Sequence, residues 1–295
     1  MRIQRVSSKW AKTKAILRNR DLAVYIPDTR KYSLDTLEEM LILYDMVYIK
    51  PDRGTYGSGV MRVEQRVVTL SASTQGDQEN QEDPPENLEV KVENTKLMYI
   101  LRYLKSAEVF SSPEELDRAL IKIIQNQPYL IQKGINLLTH KQRPFDLRVL
   151  TQKNLDGLWE TTGMLSRVAA PHKIITNYHS GGKIKSVKAV LEDHMNTFEV
   201  DSTINQLKAL GVLMARQLER TYPGIKEIGL DVALDPHHNL WLLEINTLPS
   251  IVVFKLFSDK SIYRRIHRYA AAYGRVKNNR SAISSRRKGI SRISG

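Results

Sequence analysis

The sequence predicts an α+β fold, and three observations carry that expectation. Strand-forming runs follow one another at Asp146–Thr151, Leu158–Val168 and Lys173–Tyr178 with no helix-length segment between them, as antiparallel neighbours do. Helical patterns stand apart from these runs. The longest, Thr203–Tyr222, places Leu207, Leu210, Met214 and Leu218 on one face. A late strand pair, Ile228–Leu234 and Leu240–Ile245, is joined by the turn-forming Asp-Pro-His-His-Asn. Mixed elements with long antiparallel stretches argue against a doubly wound parallel sheet.

The remaining elements follow in order. Ser7 or Ser8 caps a helix through Trp10, Ile16 and Leu17, and Ser33 one through Leu37, Met40, Leu41 and Tyr44. Asp45–Ile49 and Val60–Leu70 read as strands on either side of a glycine-rich turn. Pro113-Glu114-Glu115 opens a helix, with proline in the first turn and acids where the helix dipole favours them. Tyr129–Gln132 is a short strand, and Lys260–Tyr273 a last, basic helix.

Composition narrows the chemistry. The 295 residues include 45 Lys+Arg against 32 Asp+Glu, a net charge of +13, and no cysteine. That excludes a disulfide framework, a thiolate nucleophile, a Cys-based zinc site and an iron–sulfur cluster. No apolar run approaches the ~18–20 residues of a membrane span; Asp45 interrupts the longest candidate, Met40–Ile49. The basic start, Met1–Lys14, lacks the apolar stretch of a secretory signal, so a cytoplasmic location is expected. Two segments are too polar to bury much surface: the acidic Ser71–Glu89, and Arg275–Gly295, which holds seven basic residues and no acid. Without interleaved aromatics, the latter is expected to meet an anionic surface or polymer and no specific nucleic acid.

Chemistry-bearing residues concentrate in three places. In Lys50-Pro51-Asp52-Arg53-Gly54-Thr55-Tyr56-Gly57-Ser58-Gly59-Val60, glycines let backbone N–H groups approach and cradle phosphate oxygens. Neither a Walker P-loop nor a Rossmann fingerprint fits, because a strand follows the glycines; a plain hairpin turn is the competing reading. Second, Asp231, Glu244 and Asn246 form an oxygen set suited to Mg²⁺, since Glu244 and Asn246 share a strand face. Ordinary polar alternation competes, but an unpaired carboxylate inside the apolar strand around Asp231 would be costly. Third come Asp146-Leu147-Arg148, Arg167 and Asn177-Tyr178-His179-Ser180-Gly181-Gly182-Lys183, where arginines suit phosphate and the glycine pair suits a turn.

In this order along the chain, these motifs resemble those of ATP-grasp proteins, and are similar to glutathione synthetase and the ribosomal-protein glutamate ligases. The wording around Lys50–Val60, Tyr129–Leu137, Phe145–Leu150, Thr176–Gly182 and Leu242–Ser250 is closest to the YheC/YheD family, described as endospore coat-associated. The resemblance covers roughly Ser7–Phe257. It implies two α+β subdomains clamping a nucleotide: residues 1–70 as the first part with the glycine-rich lid, 71–89 a flexible insert, 90–135 the rest of the lid subdomain with the adenine hinge, 136–274 the C-terminal subdomain with the metal site, and 275–295 a disordered tail.

The resemblance also assigns roles. Lys9, Lys50 and Asn177 would bind the nucleotide, with Gly54, Gly57, Ser58 and Gly59 as its lid. Gln132, Lys133, Gly134 and Ile135 would hold adenine, and Asp146 would lie near the ribose or hinge. Arg148 and Arg167 would be catalytic, stabilising the transferred phosphoryl group, while Asp231, Glu244 and Asn246 would hold one or two Mg²⁺ ions. The implied function is an ATP- and Mg²⁺-dependent carboxylate–amine ligase acting through an acyl phosphate on an unidentified carboxylate. The alternative is a catalytically silent nucleotide-binding structural protein of the spore coat. Two departures stand out: the core-like pattern begins near residue 7, so the usual preceding domain is not expected, and Gln132-Lys133 stand where many relatives carry acids.

Overall fold

A computed structural model describes residues 3–54, 57–69, 95–170 and 182–276. The expected strand Lys173–Tyr178, Asn177, His179, Gly181, the acidic insert and residues 277–295 lie outside the described residues. The chain begins with α1 (Lys9–Leu17), α2 (Arg20–Ala23), β1 (Thr29–Lys31), α3 (Leu34–Leu43) and β2 (Met46–Pro51). It continues with β3 (Met61–Thr69), β4 (Thr95–Tyr103), β5 (Ser106–Phe110), α4 (Pro113–Ile124), β6 (Tyr129–Lys133), β7 (Thr139–His140), β8 (Arg143–Lys153) and β9 (Trp159–Val168). Then come β10 (Lys183–Lys185), α5 (Val187–Leu191), α6 (Thr197–Thr221), β11 (Glu227–Leu234), β12 (Leu240–Asn246) and α7 (Lys260–Ala272), with a 3₁₀ turn at Val252–Leu256.

These elements form two compact units. The smaller comprises Asp28–Pro51 and Gly59–Gly134; the larger comprises Met1–Pro27, Asp52–Ser58 and Ile135–Gly295. The expected first piece, 1–70, is therefore divided: its opening helices and the segment Asp52–Ser58 pack with the C-terminal half of the chain.

The smaller unit is an antiparallel sheet in the order β1-β6-β2-β3-β4-β5. Alternation along β2 buries Val47 and Ile49, which meet Met40 and Leu41 of α3 and Leu116 and Leu120 of α4 in one core. Ser33 and Ser112 cap the two helices through their side chains. The β4–β5 hairpin has no glycine signal in the sequence, because Leu104 itself takes the positive φ of the turn, +53°.

The larger unit carries the antiparallel order β10-β9-β8-β11-β12, with β7 beside β8. Helix α6 starts earlier than its apolar stripe, at a capping box made by Asn196 and Glu199. Its stripe, Leu207, Leu210, Met214 and Leu218, covers one sheet face, packing with Leu147, Val149 and Leu230. On the opposite face Leu150 and Leu165 pack beneath Phe254 of the 3₁₀ turn and Ile266 of α7. That second face also holds the site described below.

Residues expected to open the tail belong to this fold. The Arg275 guanidinium pairs with the fully buried Glu227 and donates to the Pro249 carbonyl at 2.6 Å. Tyr273 donates to Glu227 at 2.6 Å and accepts from Gln152 at the same distance, while Val276 packs on the α7 cluster. The described fold thus includes Arg275 and Val276, because a buried carboxylate requires its counter-charge. Arg275→Ala is expected to cost about 3–5 kcal/mol by stranding that carboxylate, which calorimetry would register as a Tm lowered by roughly 10 °C.

Candidate functional site

Register alone gathers the site. Across β9, β8, β11 and β12, Arg167 lies opposite Asp146, Arg148 opposite Asp231, and Asp231 opposite Glu244. Cross-strand partners share a face, so four adjacent strands present one row of charged side chains. Asn246, opposite Gly229, lies two residues along β12 from Glu244 on the same face, and the register shifts only beyond that pair, between Asp231 and Val232. Gly229 permits the close approach of the chain that follows, since a Cβ there would lie 2.7 Å from Pro249.

The charges are joined. Arg167 Nε donates to Asp146 at 2.8 Å, its terminal nitrogen also engages Asp146, and it reaches Asp231 at 3.2 Å. Arg148 Nε donates to the other oxygen of Asp231 at 2.5 Å, and the Asn246 amide approaches Asp231 at 3.4 Å. Asp146, Arg167 and Asp231 are all buried. Burial pushes the Asp231 carboxyl up, but Arg148 and Arg167 outweigh it and hold the group below the ordinary carboxylate range. For Arg167, burial alone would weaken its hold on a proton; Asp146 and Asp231 reverse this and raise its pKa. The desolvation cost that pointed to a metal beside Asp231 is therefore already met by two guanidinium groups.

A cavity of about 200 Å³ opens over this row. Its polar lining includes Gly54, Gly57, Arg148, Arg167, Glu244 and Asn246, six of the residues singled out from sequence. Leu165, Ile184 and Val253 give it an apolar wall. Gly57 holds φ at +75°, a conformation that glycine adopts without strain. Among the described residues, the Glu244 side chain has no hydrogen bond or ion pair, and its carboxylate faces the cavity.

Lys9 belongs to the same unit, its ammonium 3.4 Å from the Gly54 carbonyl. Asp52 fixes that contact: it accepts from Ser8 Oγ at 3.0 Å and Trp10 N–H at 2.8 Å. Ser58 and the buried Ile135 are in this unit too, outside the cavity lining. In the smaller unit Lys50 donates to Gln132 Oε1 at 2.5 Å, and Gln132 donates to Thr29 at 2.9 Å. Lys133 stacks its ammonium 5.2 Å from the Tyr44 ring centroid, and the Gly134 N–H bonds to the Met46 carbonyl at 2.8 Å. Gly59, at φ +75°, sits against Tyr129, whose hydroxyl would lie 2.7 Å from an added Cβ.

Sequence reasoning passed over two cations in the cavity lining, Arg5 and Lys12. Lys12 is only 4% exposed. Burial brings its ammonium down to about 8, with Lys9 adding to the fall while Glu244, Asp52 and Asp231 oppose it. The available signal was the spacing from Lys9, which sets both lysines on one face of α1. A lysine in a basic helix otherwise reads as solvated.

An antiparallel α+β unit with a glycine segment and paired arginines over its sheet, together with a second antiparallel unit, defines the class as ATP-grasp. The chain belongs to the YheC/D-like ATP-grasp family, whose family model matches residues 3–276. Among curated proteins it is similar to endospore coat-associated protein YheD of Bacillus subtilis (strain 168), 26% identical over 84% of this chain and 49% of YheD. It is also similar to YheC of the same organism, 24% identical over 82% of this chain and 59% of YheC. The chain thus spans about half the length of the curated relatives it matches. Among solved structures, D-alanyl-alanine synthetase A of Vibrio cholerae aligns with 88% of this chain and 60% of its own, at 10% identity and a TM-score of 0.46. No helix among the described residues is long and apolar enough to cross a membrane.

The sign of the acid response follows from Asp231. Its native pKa lies below the unfolded value of 3.8, so its stabilisation is complete above that pH and is lost as pH falls through the native pKa. Asp231→Ala is expected to lower stability at pH 7 by about 3–5 kcal/mol, since the buried Arg167 and the partly buried Arg148 lose their shared partner. Denaturant unfolding at pH 7 and pH 2.5 checks this, the deficit narrowing at the lower pH.

Proposed function

We propose that this protein is an ATP- and Mg²⁺-dependent carboxylate–amine ligase that works through an acyl phosphate, and that it associates with the endospore coat. The observation that carries the reading is the convergence on one cavity of the glycine backbone, two ion-paired arginines and the open carboxylate of Glu244. The family and the printed names of its relatives support it.

The donor set fits Mg²⁺. Glu244 offers a carboxylate with no hydrogen bond or ion pair among the described residues, Asn246 an amide oxygen, and Asp231 the lone pairs left beyond its three donors. Glu244 is the principal ligand on this reading. The ion would supply Lewis-acid neutralisation of phosphate charge. Arg148 and Arg167, oriented by Asp231 and Asp146, donate to the oxygens of the phosphoryl group in transfer. A substrate carboxylate oxygen bonds to the γ-phosphorus as its bond to the ADP oxygen breaks. An amine then attacks the acyl carbon, phosphate leaves with the acyl C–O electron pair, and the amine proton passes to solvent. The segment around Gly54 and Gly57 keeps water from the acyl phosphate. The resemblance gives Lys9, Lys50 and Asn177 to the nucleotide phosphates, and Gln132, Lys133, Gly134 and Ile135 to adenine.

Mg·ATP is expected to raise the Tm of the full chain by an amount equivalent to about 2.7 kcal/mol at a hundredfold excess over Kd. Glu244→Ala should remove most of that rise, and an unchanged rise would take Glu244 out of the site. Release of ADP and phosphate against a panel of amino acids, short peptides and polyacids distinguishes a ligase from a silent nucleotide-binding coat protein.

A further inference from the structure

The cavity wall contains a cation that the mechanism above leaves unused. Lys12 is 4% exposed, yet among the described residues no hydrogen bond or ion pair engages its ammonium. Its stem is buried while its ammonium opens on the cavity it lines, which places the charge to meet a ligand there. The arginines of the site are already matched, Arg167 and Arg148 by Asp146 and Asp231. Lys12 is not.

Its position is held firmly. The Ser8 cap and the Asp52 contacts fix the first turn of α1 on the segment leading to Gly54. Lys9, one turn earlier on the same face, reaches the Gly54 carbonyl. Lys12 shares the cavity lining with Gly54 and Gly57 and lies within the electrostatic reach of Glu244, the opposite charge that acts on it most strongly. A place between a glycine backbone and a magnesium-suited carboxylate is where the end of a triphosphate would lie.

We propose that Lys12 is a substrate-binding residue whose ammonium takes the terminal, transferable phosphoryl group. The assignment rests on the nucleotide reading given above. A cation meeting only the terminal phosphoryl separates nucleotides by the presence of that group. It leaves adenosine and the first two phosphates indifferent to its loss.

The test is calorimetric titration of the full chain with magnesium and either the non-hydrolysable β,γ-imido analogue of ATP or ADP, for the wild type, Lys12→Met and Lys12→Arg. Lys12→Met should weaken the triphosphate analogue by about tenfold or more, the worth of one charged hydrogen bond, and leave ADP within about twofold. Lys12→Arg should recover most of the loss. Equal weakening of both nucleotides or no weakening of either would overturn the assignment. If loss appears only when a carboxylate acceptor is added, Lys12 serves the acceptor and the phosphoryl assignment fails. A wild type that binds neither nucleotide would instead overturn the reading beneath it.

Discussion

The larger unit depends on a chain of opposite charges carried through the middle of its sheet. Asp146, Arg167, Asp231 and Arg148 stand on three adjacent strands, each within bonding reach of the next. Any one of them alone would oppose folding, because desolvating a single ion costs several kcal/mol even after relaxation. Together they are tolerable, since each cation faces a carboxylate across the strand register. The arrangement constrains geometry more than it adds stability: a one-residue slip of β8 against β11 would separate Arg148 from Asp231 and turn both to the wrong face. On the proposed reading, charged groups fixed in this way are preorganised for a phosphorylated ligand.

The start of the chain completes that unit. Val6 donates to Thr247 Oγ1 at 2.9 Å across 241 residues of sequence, beside the end of β12. Gln4 exchanges backbone and side-chain bonds with Gly224, and Gln217 of α6 donates to the Ala15 carbonyl at 2.8 Å. These contacts hold α1 against the long helix and bring Lys12 to the cavity. A similar long-range tie closes the other end, where Arg275 joins Glu227 to the Pro249 carbonyl, fixing the segment that walls the cavity.

Stability and ligand readiness pull apart at two places. Glu244 and Lys12 both present charge to the cavity without a hydrogen bond or ion pair among the described residues. A sequence selected for stability alone would pair or replace them. The carboxylate is half-exposed and tolerates solvent; the lysine is buried, and burial shifts its proton affinity markedly.

Local chemistry made much of this protein legible from its sequence. Serine and proline signals marked α1, α3 and α4, the apolar stripe marked α6, and alternation in β12 set Glu244 and Asn246 on one face. These depend on spacing within one element, which sequence states directly. The β4–β5 hairpin escaped because Leu104 makes a turn usually left to glycine. The ion network escaped because Asp146 and Arg167 are partners only through the register of β8 and β9, and a lone Asp231 read from sequence carried no sign that arginines would meet it. Lys12 escaped for the same reason. Its burial comes from chain segments that are distant in sequence, and desolvation of a charge is a property of the assembled surroundings, which only the tertiary structure decides.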